Sequence, residues 1–164
     1  MSVVDHPTRH RAPEHDASGT AEVRAWWDPG LAAQGFEVRG AYVERYWLGV
    51  LGPSALFLVR RLARGLDEHP GGFRMDLADT ARAIGLGGGT GRQSPIVRTI
   101  DRCCLFNVMR RTGPGQLEVR THLPRLTRRQ LERLPLAVQR SHDSFLAHPS
   151  NGGRGGGPPG PSAA

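Results

Sequence analysis

Tyr42, Val43, Tyr46, Trp47 and Val50 recur at helical spacing until Gly52-Pro53 interrupts them. Proline is tolerated in the first turn of a helix, so a second helix is predicted from Pro53 to about Leu66. It is apolar at Ala55, Leu58, Val59, Leu62 and Leu66, and basic at Arg60, Arg61 and Arg64. His69-Pro70-Gly71-Gly72 ends it. Phe73-Arg74-Met75 alternates and suits one brief strand. Asp76 is a good N-cap for the next helix, and Asp79 favours the same helix start. Leu77, Ala81 and Ile84 form that helix's apolar stripe, and Gly85 stops it.

A glycine-rich turn follows, Gly85 to Gln93. Ser94-Pro95 then signals a fresh helix, over about 95–106. Steps of about 100° per residue place Ile96, Ile100 and Cys103 on one stripe, with Arg98 and Arg102 on the opposite side. Val108 to Arg111 and Leu117 to Leu123 read as two strands, and Thr112-Gly113-Pro114-Gly115-Gln116 as the hairpin loop between them. Thr127 caps a short helix through Leu134, and Leu136 to Ala147 forms another.

The ends differ in texture. Residues 1–40 read as a largely disordered arm, 41–147 as the folded domain, and 148–164 as a disordered Gly/Pro-rich tail. Within the arm, Trp26, Trp27 and Phe36 are many aromatics for a free tail, and they dock onto the domain or onto a partner. The most apolar stretch, Trp47 to Val59, is too short to span a bilayer, so no membrane partner is expected. Cys103 and Cys104 are neighbours and make a poor structural staple, so a cytoplasmic, reduced protein is expected.

Charge sharpens the picture. All 22 basic residues are arginine, which excludes chemistry that needs a lysine amine, such as a Walker-type phosphate loop or a Schiff base. Arginine alone suits bidentate recognition of phosphates and guanine edges; a GC-rich coding sequence produces the same bias. Position separates more than composition. Residues 92–140 hold 11 arginines and three acids, a net +8, whereas the rest of the chain is −1. One basic segment on a nearly neutral chain is the pattern of an electrostatic footprint, or of a merely solvated face.

The order helix, strand, helix, turn, helix, hairpin resembles the winged helix-turn-helix family of DNA-binding domains. Asp76 to Leu86, Ser94 to Phe106 and the Arg110 to Leu123 hairpin carry the resemblance, which covers about 53–123. The arginine-rich, lysine-free style is similar to that of actinobacterial winged-helix proteins. The turn between the two helices is longer than the family's tight turn. The expected fold is therefore mainly α with a small β-hairpin: a winged helix-turn-helix with flanking helices and disordered tails.

The resemblance implies that helix 95–106 enters the major groove of double-stranded DNA with the hairpin as a wing, as in a small transcriptional regulator. Arg98 and Arg102 then read bases, with Thr99 and Asp101 beside them. Arg110, Arg111 and Arg120 are the wing candidates. The glycine turn can form an anion nest at the helix N-terminus, where Arg92, Gln93 and Ser94 would clamp a phosphate; a plain inter-helix linker is the alternative. Tyr42, Tyr46, Trp47, Leu136, Val138 and Phe145 offer a seam for a homodimer.

No catalytic constellation is expected. Ser54 lies outside any nucleophile elbow, and His122 and His142 have no evident partner in the sequence. Cys103 reads as a small core residue. His6, His10 and His15 lack a packed shell for a metal, and neither a cofactor nor a small-molecule ligand is evident. The competing function is a winged-helix adaptor for another protein, docking through Trp26-Trp27.

Overall fold

The computed structural model describes residues 19–147. In chain order the first elements are β1 (Thr20–Ala25), α1 (Pro29–Gln34) and β2 (Phe36–Glu37). A π-helical turn, Val43–Trp47, runs into α2 (Leu48–Leu51) and α3 (Pro53–Glu68). Next come β3 (Phe73–Asp76), α4 (Leu77–Ala83) and α5 (Pro95–Leu105). β4 (Met109–Gly113), β5 (Gln116–Val119), β6 (His122–Leu123), α6 (Arg128–Leu131) and α7 (Leu136–Ala147) complete the fold. The architecture is mixed α/β, with a larger β share than a lone hairpin supplies. Residues 1–18 of the expected arm and the expected tail 148–164 lie outside the described residues.

The two long central helices form where their caps and stripes say they should. α3 starts at Pro53, after Gly52 at φ 81°, and buries Ala55, Leu58, Val59, Leu62 and Leu66. It stops before Pro70, which removes a helical N–H. α5 starts at Pro95 and buries Ile96, Val97, Ile100 and Cys103. Asn107, at φ 55°, turns the chain out of α5 into β4, a conformation that asparagine tolerates better than most residues. α4 has its predicted cap: the Asp79 N–H donates to Asp76 Oδ1 at 2.8 Å.

The arm expected over 1–40 does not extend through residues 20–40. Ala21 and Val23 of β1 face the core while Glu22 and Arg24 face out. β1 pairs antiparallel with β3 and parallel with β5, so the sheet order is β3-β1-β5-β4. β1 thus separates β3 from the hairpin. The predicted strand 117–123 is also two pieces. β5 ends at Val119, and after Arg120-Thr121 β6 pairs with β2 in a second, two-stranded sheet.

The expected dimer seam is consumed inside the chain. Tyr42, Tyr46 and Trp47 are buried, because α7 folds back and sets Phe145 5.7 Å from both tyrosine rings. Val138 and Phe145 are partly buried against the same core, and only Leu136 of that set stays largely exposed. Polar bonds fix this packing: Trp47 Nε1 donates to the Pro124 carbonyl at 3.0 Å, and the Leu126 N–H donates to the Tyr42 hydroxyl at 2.9 Å. Among the described residues no helix is long and apolar enough to cross a membrane.

Candidate nucleic-acid interface

α5 carries the expected reading residues, and its buried stripe leaves one face to solvent. Arg98 is exposed on that face, and its guanidinium has neither hydrogen bond nor ion pair among the described residues. Arg92 and Gln93 are exposed just before the helix. Ser94 occupies the N-cap, but its Oγ is buried without a hydrogen-bond partner among the described residues. Gly85 and Gly87 sit at φ 77° and 71°, so the glycine turn does need its glycines.

Thr99 and Arg102 do not join Arg98. Thr99 is buried, and its hydroxyl donates to the Pro95 carbonyl at 2.7 Å, back along its own helix. A threonine one residue round from an exposed arginine falls on the core side once Ile96 and Ile100 define the inward direction. Arg102 turns toward the end of α2 instead. Its Nε donates to the Leu51 carbonyl and its Nη2 to the Val50 carbonyl at 2.7 Å. A cation there meets the unsatisfied carbonyls and negative dipole end of a helix. The guanidinium also lies over the Phe106 ring at 5.2 Å. Arg102 caps the end of α2, and its guanidinium is engaged there instead of standing free beside Arg98.

The wing arginines are likewise occupied. Arg110 Nε donates to Glu118 at 2.6 Å across the hairpin, on directly paired positions. Arg111 pairs with Asp101 at 2.8 Å, which ties the expected reading-helix carboxylate to the hairpin. The Arg110 pair is exposed, worth only about 0.2–1 kcal/mol, and exchanges readily for other anions, whereas the Arg111 side chain is half-buried and also donates to Cys104 Sγ at 3.6 Å. Arg120 is different. Its side chain is 14% exposed, bonds Asp28 at 2.8 Å and the Asn107 carbonyl at 3.0 Å, and stacks 3.7 Å over Trp26. That set holds the N-terminal strand against the end of α5.

Sequence reasoning missed Trp26 and Asp28 as members of this cluster. Arg110 also lies over the Trp26 ring, at 4.5 Å from its centroid. The signal was present: Asp28-Pro29 is an N-cap followed by a first-turn proline, and Asp28 Oδ1 accepts from the Leu31 N–H at 3.1 Å. The Arg120 hydrogen bond, seconded by that N–H, holds the Asp28 carboxyl below its ordinary range. Trp27, by contrast, is 70% exposed.

The cysteines are placed for packing. Burial pushes the Cys103 thiol up to about 12 and raises Cys104 as well, the opposite of an activated nucleophile. Among the described residues no group of three or more His, Cys, Asp or Glu side chains is arranged to hold a metal ion. His6, His10 and His15 lie outside the described residues. Comparison of the chain with family models, with curated proteins and with solved structures finds no match.

Proposed function

We propose that this protein binds double-stranded DNA sequence-specifically, as a small cytoplasmic transcriptional regulator of winged-helix type. The observation that carries the reading is Arg98: an exposed guanidinium on the outward face of α5, unpaired among the described residues, with Arg92 and Gln93 exposed at the same helix's start. Arginine bidentate to guanine is the commonest specific base contact. The element order from α3 through the β4–β5 hairpin supports the same reading. Arg110 and Arg111 would contribute only by exchanging their carboxylates for phosphates.

The test is selection from a random duplex pool with the full chain and with Arg98→Ala. The expected result is relaxed preference at one base position and an affinity loss of about 5- to 150-fold on the selected site, the range for one bidentate pair. An unchanged sequence logo refutes the reading role. The second reading, a protein-interaction adaptor, draws on the exposed Trp27 ring. No binding to duplex even at low salt, together with a protein partner that Trp27→Ala fails to bind, favours it.

A further inference from the structure

The basic segment 92–140 divides evenly. Residues 92–120 carry six arginines and two acids, and residues 125–140 carry five arginines and one acid, so each part is +4. The first part is mostly occupied: Arg102, Arg110, Arg111 and Arg120 all have internal partners. In the second part only Arg128 has an ion pair among the described residues, with Glu132 at 2.8 Å. That pairing also takes the sole carboxylate of residues 125–140.

The local fold fixes where the remaining charge points. Thr127 and Gln130 form a reciprocal capping box that starts α6. The helical rotation continues through the next turn, where the Glu132 N–H donates to the Arg128 carbonyl and the Arg133 N–H to the Gln130 carbonyl. Leu126 and Leu134 are buried and Leu131 is half-buried, so this face of the turn is clamped to the core. At about 100° per residue, Arg129 and Arg133 fall side by side, on the side of the turn away from Leu131 and Leu134. Both are exposed, as is Arg125 before the cap. Like charges four apart on one helical face repel, and among the described residues no ion pair relieves them.

We infer that the α6 turn, through Arg125, Arg129 and Arg133, is a docking surface for the phosphate backbone of duplex DNA. The inference rests on the duplex-binding reading above and relocates its electrostatic hold from the hairpin to this turn. Rigid anchoring matters here. With the backbone of the turn already clamped to the core, only the arginine side chains have to order when they meet a phosphate, and each phosphate neutralised releases counterions.

The experiment measures duplex affinity of the full chain against salt concentration, on a random-sequence duplex. The variants are Arg129→Gln/Arg133→Gln and, as a charge-matched control, Arg64→Gln/Arg74→Gln, whose arginines are ion-paired elsewhere. The first variant should make the slope of log K against log salt shallower by about 1.8, at about 0.9 for each phosphate no longer neutralised. The control should retain the wild-type slope, and both variants should melt like wild type. A wild-type slope in the α6 variant, or an equal change in the control, overturns the inference while leaving duplex binding intact. A shallower slope alongside an unchanged logo for Arg98→Ala supports this surface and removes only the reading helix. No duplex binding by wild type at low salt overturns both.

Discussion

Tyr42→Phe removes one oxygen and leaves the ring in place. The ring is 2% exposed and stacks on Phe36 with centroids 3.5 Å apart. Its hydroxyl is where three chain segments meet: it accepts from the Leu126 N–H at 2.9 Å and bonds His142 Nε2 at 3.0 Å. Since the oxygen accepts from Leu126, its own hydrogen is free to go to Nε2. His142 Nδ1 is itself buried without a hydrogen-bond partner among the described residues, with the Asp143 carboxylate 3.6 Å away. Burial raises the Tyr42 hydroxyl above its ordinary range, which keeps it a donor. Phenylalanine leaves two buried groups, an N–H and an imidazole nitrogen, without partners. At about 1–3 kcal/mol for each orphaned group, and with the tyrosine hydroxyl's own desolvation removed, the expected cost is about 2–4 kcal/mol. Tyr46→Phe is the internal comparison. Among the described residues its hydroxyl bonds only Ser141, through the carbonyl at 2.9 Å and Oγ at 3.0 Å, and Ser141 is exposed and can turn to water. That change should cost about 0.5–1.5 kcal/mol. Urea unfolding with unchanged m measures both. A Tyr42→Phe cost at or below that of Tyr46→Phe would refute the orphaned-group reasoning.

Two further perturbations follow from the arginine partners. Arg102→Lys keeps the charge but cannot hold the Val50 and Leu51 carbonyls with one planar fork, so it should destabilise by about 1–2 kcal/mol in urea unfolding and leave the DNA logo unchanged, unlike Arg98→Ala. The depressed Asp28 carboxyl means that the unfolded chain binds this proton more readily than the folded one. Its contribution is therefore present above the ordinary value of 3.8 and is lost as pH falls below it through the folded value. Asp28→Asn should flatten that acid limb in pH-dependent melting; an unaltered limb would show that the Arg120 pair does not couple to folding.

Sequence pattern exposed α3 and α5 because each combines a 3.6-residue stripe with a proline in its first turn, signals that lie within one segment. β1 was hidden for the converse reason. Thr20 to Ala25 offers two small inward side chains, and its strand state comes from two neighbours more than 40 residues away in sequence, β3 and β5. The break at Arg120-Thr121 was hidden too, since Leu117 to Leu123 alternates well enough for one strand and only β2 draws its last residues into another sheet. Arg98 and the glycine turn could be placed from local spacing. The fates of Arg102 and Arg120 could not, because the carbonyls and carboxylate that take them come from residues 50, 51, 28 and 107.

That division also bears on the absence of lysine. At Arg102 one side chain serves two successive carbonyls at a helix end, and at Arg120 one side chain serves a carboxylate, a carbonyl and an indole face. A lysine ammonium is a point charge without a planar fork, so neither arrangement has a lysine equivalent. Part of the arginine bias is therefore structural, and it subtracts from the charge that a partner could meet. Arg110 subtracts more weakly, since its exposed pair yields to a competing phosphate, and the half-buried Arg111 lies between these cases. What is left over is not spread along the basic segment. Among the described residues it lies at Arg92 and Arg98 beside the start of α5, and at Arg125, Arg129, Arg133 and Arg140 in the chain after the hairpin, so the two groups fall on opposite sides of the hairpin in sequence. If duplex DNA is the partner, those two groups must divide the work: the first has the helix face that base reading requires, and the second has only the charge that a backbone requires.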